Sequence, residues 1–345
     1  MTHSNQRRRV IRLMAASCAM GSMPLMARAV GLNDISADLS KGAVKSGSYS
    51  ELHHWHGFAL GAEVSLQLYH HDAEAAGRII RRSVEVVRDM EGLFSLYQEN
   101  SALSKLNREG VLHHPAEAFV DLLQTAQHIS RVTAGAFDVT VQPLWQYYHD
   151  LFSGRFVEKE AAEALQAVRK LVGYEKLHVS PEKISFEREG MAATLNGIAQ
   201  GYVTDRVSDY LKSEGLTSVL VDMGEYRALG PQADKSPWKI GLADPENPGN
   251  LSDIIELSHG AIATSAPQGD RFDKKGEYHH LFDPHGGKST HRYLSVTVMA
   301  PSATTADALS TAFSAMSVAD IRKCLKNFSS VKVRLTDKAG TVIIA

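Results

Sequence analysis

Cysteine is nearly absent. The 345 residues hold two, Cys18 and Cys324. Cys18 lies in an N-terminal stretch that reads as a cleavable leader, so the remaining chain has one thiol and no intrachain disulfide framework is possible. An excess of positive charge is also missing. Lysine and arginine number 37 against 39 aspartates and glutamates, a net charge of −2. Five of those basic residues (Arg7, Arg8, Arg9, Arg12, Arg28) fall in residues 1–29, which hold no acid. Without them the balance is 32 to 39, a net of −7. Nucleic acid is thereby excluded as a partner, since its binders are normally basic. There is no internal repeat and no low-complexity tract. Cys324 sits in the amphipathic pattern IRKCLKNF and reads as a buried thiol.

Residues 1–29 have a basic start, a short Ala/Met-rich apolar run and a small-x-small end at Ala27-Arg28-Ala29. That is an export signal, too short to span a bilayer. The run Arg7-Arg8-Arg9-Val10-Ile11-Arg12 matches a twin-arginine signal; an ordinary secretory signal is the alternative. Ala15-Ala16-Ser17 before Cys18 is a poor lipoprotein match, so the expectation is a periplasmic protein without a lipid anchor.

Residues 30–51 are rich in Ser, Gly and Ala, without a period, and read as a flexible lead-in. Globular structure is expected over 52–345. Phe58–Tyr69 alternates as a strand, and Asp72–Tyr97, Pro115–Thr133 and Ala161–Leu171 have helical spacing. Strands are expected at Lys176–Val179, Lys183–Glu187, Ser218–Asp222, Trp238–Leu242, Ile254–Leu257, Leu294–Met299, Val331–Leu335 and Val342–Ile344. Helices are expected at Gly197–Glu214, from about Thr304, and near Val318–Asn327. Strands and helices mix without a strict βα repeat. The fold class is therefore α+β, with two intertwined lobes and no clean linker.

Several segments carry candidate chemistry. LNGIAQGYVTD (195–205) is a glycine-bearing turn running into a helix, where backbone N–H groups can receive an anion such as a phosphate. Gly197 and Gly201 can equally be turn or packing glycines. In SATTADALSTAF, Thr304 and Asp307 resemble a capping box. Asp307 and Thr311 share a helix face at i, i+4. A carboxylate and a hydroxyl there either serve the helix itself or ligate a hard cation such as Mg2+, and spacing alone favours the first. His280, in HHLFDP, is either a general base or a solvated loop histidine. His279, His285 and His291 crowd the same region without a zinc-ligand spacing. His53-His54-Trp55-His56 reads as surface decoration.

Four segments then stand in a specific order: FSLYQENSALSKLN, GAFDVTVQPL, LNGIAQGYVTD with VLVDMGEYRALG, and HHLFDP with ADALSTAF. Together they resemble the ApbE family, the FAD:protein FMN transferases, over about Leu52 to Ala345. The resemblance implies a T-fold-like mixed architecture and a Mg2+-dependent enzyme. Such an enzyme cleaves FAD and passes FMN to a threonine or serine hydroxyl of a target protein, releasing AMP. It implies that Asp307 and Thr311 ligate Mg2+ through side chains and Gly197 through its backbone carbonyl. By the same resemblance His280 is the base for the target hydroxyl, and Asp283 shapes the turn beside it. Tyr97 contacts the flavin, and Ala136, Phe137 and Asp138 line the FAD site.

The chain departs from the common family pattern D-L-G-G-I-A-K-G at two FAD-facing positions, having Thr194 for the acid and Gln200 for the lysine. Gly224-Glu225 stands where Gly-Gly is usual, and Leu60-Gly61-Ala62 where Met-Gly-Thr is usual. LNGIAQGYVTD with GEYRALG resembles the periplasmic NosX-like branch serving nitrous-oxide reduction, whose partner would be a membrane-bound electron-transfer subunit (NosR-like). Two other readings remain open: an FAD-binding carrier or scaffold that transfers nothing, and an FAD pyrophosphatase giving FMN and AMP.

Overall fold

A computed structural model describes residues 50–155, 158–247 and 249–345, together with the backbone of Ile11–Leu13. The leader and lead-in readings otherwise lie outside the described residues. The core is one eight-stranded sheet whose spatial order follows the chain, every neighbour antiparallel. Its strands are β1 (Glu51–Ala59), β2 (Ala62–His70), β3 (Val219–Asp222), β4 (Tyr226–Leu229), β5 (His259–Ser265), β6 (Tyr293–Ala300), β7 (Lys332–Asp337) and β8 (Val342–Ile344). The helices in chain order are α1 (Ala73–Phe94), α2 (Ala102–Glu109), α3 (Glu117–Val132), α4 (Gln142–Phe152), α5 (Glu158–Arg169), α6 (Ala199–Ser213), α7 (Ala303–Ala315) and α8 (Val318–Cys324). Helices α1 to α6 are inserted between β2 and β3, and α7 and α8 between β6 and β7.

Period-two alternation decides which face each side chain serves. Val64, Leu66, Leu68, Val219, Val221, Val296 and Val298 face α1, α6 and α7 in the main core. Leu220, Tyr226, Ala228 and Ile262 point the other way, onto Trp238, Ile240, Leu242 and Leu257 of the hairpin Trp238–Ala243/Leu251–Leu257. A separate aromatic cluster joins Leu144, Tyr147 and Tyr148 of α4 to Val172 and Phe282. The α+β reading holds.

The strand expected at 58–69 is instead the β1–β2 hairpin. Its two-residue turn, Leu60-Gly61, has both φ positive (52° and 77°). Asn-Gly announces such a turn, whereas a leucine there conceals it. His53 is buried on β1, against the surface reading of its cluster, and its Nε2–H donates to the His70 carbonyl at 3.2 Å. The polar stretch before Gly110 contains α2, capped by Ser101 and stopped by Gly110 in the left-handed region. Helix α4 and strands β4 and β5 also went unread. Cys324 is buried, and burial pushes its thiol up to about 11, so it is an inert core residue.

Candidate active site at the α6–α7 crossing

Helices α6 and α7 cross at glycine. A Cβ on Gly201 would sit 2.6 Å from the Ala303 backbone carbon and 2.8 Å from the Asp307 Cβ. That closeness lets the Gly201 N–H donate to Asp307 Oδ2 at 3.0 Å. The anion at the N-terminus of α6 is thus the protein's own carboxylate. The neighbouring Ile198 and Ala199 N–H groups bond to the Leu195 carbonyl, and that of Tyr202 to Ile198. The N–H groups of Ile198, Ala199, Gly201 and Tyr202 are thus already bonded within the protein. Gly197 lies against Thr311, since a Cβ there would meet Oγ1 at 2.8 Å. Thr311 Oγ1 is 3.4 Å from Ser265 Oγ, which is 2.7 Å from Ser310 Oγ. Gly197, Asp307 and Thr311 thus converge from helix α7 and the turn that leads into α6.

The capping box expected at Thr304/Asp307 is absent. The N-cap of α7 is Ser302, bonded to the Thr305 N–H. Asp307 sits a turn deeper, only 4% exposed. The first turn of α7 is capped in trans by Asp205, which accepts from the N–H groups of Ala303 and Thr304 at 2.9 Å each and from Thr304 Oγ1 at 2.6 Å. Arg227 pairs with Asp205 at 2.6 Å. Asp205 ends the motif 195–205, but nothing local could reveal a partner about a hundred residues away.

Burial pushes the Asp307 carboxyl up to about 7; the Gly201 N–H opposes this and the Asp205 charge adds to it. Glu225, also 4% exposed, is pushed well above the usual carboxylate range by burial and then by the charges of Asp307 and Asp222. The charged side chains acting on Asp307 and Glu225 are all carboxylates. A buried carboxylate without a cationic partner, beside hydroxyls and a turn backbone, is an oxygen donor set that suits a hard divalent cation such as Mg2+. Among the described residues no three His, Cys, Asp or Glu side chains converge as metal ligands. A cation here would therefore combine carboxylate with neutral oxygens and substrate phosphates.

The expected base approaches along the loop after β5. Ser265 ends that strand, and Asp270 downstream accepts twice from His280 through its backbone carbonyl, from the backbone N–H at 3.0 Å and from the ring at 3.1 Å. Because a carbonyl only accepts, Nδ1 carries the proton and Nε2 keeps its lone pair. Desolvation lowers the His280 pKa from 6.5, which keeps the ring neutral near pH 7. Trp145 steadies the same loop by donating to Asp270 Oδ2 at 3.2 Å. Asp283 shapes the next turn, as expected, accepting the His285 N–H at 3.0 Å. The His285 ring bonds to the Ala134 carbonyl, and His291 is exposed.

His279 has a different part. It is fully buried, donates from Nε2 to the Thr290 carbonyl at 2.6 Å and accepts the Leu281 N–H at Nδ1. Burial lowers its pKa from 6.5 to about 4. The stability held by neutral His279 is complete above pH 6.5 and is lost as pH falls through 4, on the order of 3 kcal/mol in all. Urea midpoints at pH 7.5 and 4.5 check this. His279→Asn is expected to lower stability at pH 7.5 but to shrink the difference between the two midpoints.

Of the expected FAD-lining residues, Tyr97 is 52% exposed on the turn after α1, a turn organised by Ser95 Oγ, which accepts the N–H groups of Tyr97 and Gln98. Phe137 points into the core. Asp138 is an internal cap, accepting from Thr140 (N–H 2.7 Å, hydroxyl 2.6 Å) and from the Tyr174 N–H at 2.8 Å; burial pushes its carboxyl up to about 6. Ala136 is half-buried. The Thr194 N–H bonds to the Val139 carbonyl at 2.8 Å, bringing segment 136–139 beside the Gly197 turn. Asn107 clamps Ala193 from both sides. Gln200 points inward, 6% exposed, with its amide against Gly224. Ser265, Asp205 and Glu225 were missed as site residues; of these only Glu225 left a trace in the sequence, as a departure from the family pattern.

The sequence profile of the ApbE family matches residues 60–335. An FAD:protein FMN transferase of Vibrio cholerae is 33% identical over 255 residues, 71% of this chain and 74% of that protein. One from Haemophilus influenzae is 29% identical over 238 residues, 66% and 69% of the two chains. Among solved structures, the ApbE protein of Thermotoga maritima superposes with a TM-score of 0.74 at 28% identity, covering 85% of this chain and 96% of its own. The flavin transferase ApbE of Vibrio cholerae superposes with a TM-score of 0.72 at 25% identity, covering 86% and 97%. With the profile matched over most of its length, the chain belongs to the ApbE family.

Proposed function

We propose that this protein is a Mg2+-dependent FAD:protein FMN transferase. The observation that carries the reading is the convergence of Gly197, Asp307 and Thr311 on one oxygen-donor site, in a chain whose relatives are FAD:protein FMN transferases. Asp307, Thr311 and the Gly197 carbonyl would hold the cation; when bound, it neutralises charge on the FAD pyrophosphate. His280 Nε2 takes the proton of a threonine or serine hydroxyl on the target. The hydroxyl oxygen bonds to the phosphorus on the FMN side, the P–O bond to the AMP phosphate breaks, and AMP leaves. Tyr97 offers an exposed ring for the flavin.

His280→Ala is expected to lower kcat by roughly 10²- to 10³-fold while changing FAD affinity little, because general-base catalysis contributes at about that level. Stopped-flow transfer and FAD fluorescence titration check the two halves. In the parent protein the acid limb of kcat should fall below pH 6.5, since the neutral ring is the active form and its pKa is lowered.

We place the enzyme in the periplasm by its twin-arginine-like leader. Its target is a membrane-bound electron-transfer subunit of NosR type, the partner that LNGIAQGYVTD and GEYRALG suggest for a NosX-like branch. No described helix of this chain is long and apolar enough to cross a membrane. A pyrophosphatase would release AMP without any target protein, and a carrier would bind FAD and release none, so AMP yield with and without target separates the three.

A further inference from the structure

Glu225 is 4% exposed, and its Oε2 has no hydrogen-bond partner among the described residues. Its other contacts are local: the Thr264 N–H reaches the carboxylate, and Thr204 Oγ1 donates to the Glu225 main-chain carbonyl at 3.0 Å. The Gln200 Nε2 is also buried and without a hydrogen-bond partner among the described residues. Its amide packs on Gly224, where a Cβ would lie 2.6 Å from Gln200 Cδ. The adjoining Gly201 N–H holds Asp307. Two buried carboxylates thus share one interior with no lysine or arginine acting on either, and one oxygen is orphaned. Leaving such a group unpartnered is costly, so the arrangement calls for a cation.

We propose that Glu225 is a second carboxylate ligand, direct or through one bound water, of the divalent cation held at Asp307. The inference rests on the metal reading above and adds a ligand to it. A carboxylate pair gives a tighter site, one that holds its cation before nucleotide arrives; a single carboxylate would leave retention to the substrate phosphates.

The test uses Mn2+ alone, without FAD, on the mature chain, with binding read by electron paramagnetic resonance. Glu225→Gln is expected to weaken Mn2+ binding at least about tenfold with an unchanged fold by circular dichroism. Gln200→Lys, which sets an ammonium in this interior, is expected to weaken it likewise. Unchanged Mn2+ affinity in Glu225→Gln would overturn the proposal, leaving the orphaned oxygen to a buried water. If that variant does not fold, an anomalous difference map of parent crystals soaked in Mn2+ decides. A peak bonded to Glu225, or one water from it, supports the proposal, and a peak on Asp307 alone overturns it. If Asp307→Asn also leaves Mn2+ affinity unchanged, the metal reading itself fails, a result distinct from failure at Glu225.

Discussion

Asp307→Asn is expected to lower FMN transfer on the order of 10³-fold, the scale of losing a group that stabilises transition-state charge. The amide oxygen can still accept the Gly201 N–H that now binds Oδ2 at 3.0 Å, so the α6–α7 crossing should survive. The charge, however, is gone. Because burial and Asp205 both work against the ionised carboxyl, removing that charge relieves the folded protein. Thermal unfolding is therefore expected at the parent temperature or slightly above it, while activity collapses. Loss of activity with stability kept is the mark of a residue retained for chemistry. Steady-state transfer and calorimetry on the same preparation check both halves. Full activity in Asp307→Asn would remove the metal assignment.

Gly201→Ala is expected to be strongly destabilising. The added Cβ meets backbone of Ala303 and the Asp307 Cβ, and neither can rotate away. The two helices must part, at roughly 3 kcal/mol by the usual cost of overpacking. For a protein of this size that is a fall of about 4–5 °C in Tm. The same shift breaks the Gly201–Asp307 bond, so transfer should fall as well. Gly92→Ala is the control, since no described residue lies within 4 Å of its Cβ position in the last turn of α1. There the lower backbone entropy of alanine is expected to stabilise by roughly 0.5–1 kcal/mol. Equal Tm values for the two variants would contradict the close crossing.

The segments that identify the family were legible because each is local: a turn, a helix start, a loop. Their meaning was less so. The i, i+4 spacing of Asp307 and Thr311 fits a helix-terminus device as well as a cation site. The choice depends on the Gly201 N–H, a contact 106 residues away. His279 and His280 are adjacent and alike in sequence, yet one is sealed in the core and the other holds its tautomer through Asp270. Asp138 matched the family segment, but its side chain is consumed by Thr140 and Tyr174. The sheet order was hidden at the Leu60-Gly61 turn, whose residues lack the usual turn chemistry, in the short strand β4 and in β5.

The most direct test is to incubate the mature protein with FAD, Mg2+ and a periplasmic target domain bearing an acceptor threonine or serine. In-gel flavin fluorescence, target mass and AMP release are then measured together. The account predicts fluorescent target carrying one FMN, with AMP released in equal amount and only when target and Mg2+ are both present. AMP released without target, or FAD bound with neither AMP nor labelled target, would contradict it.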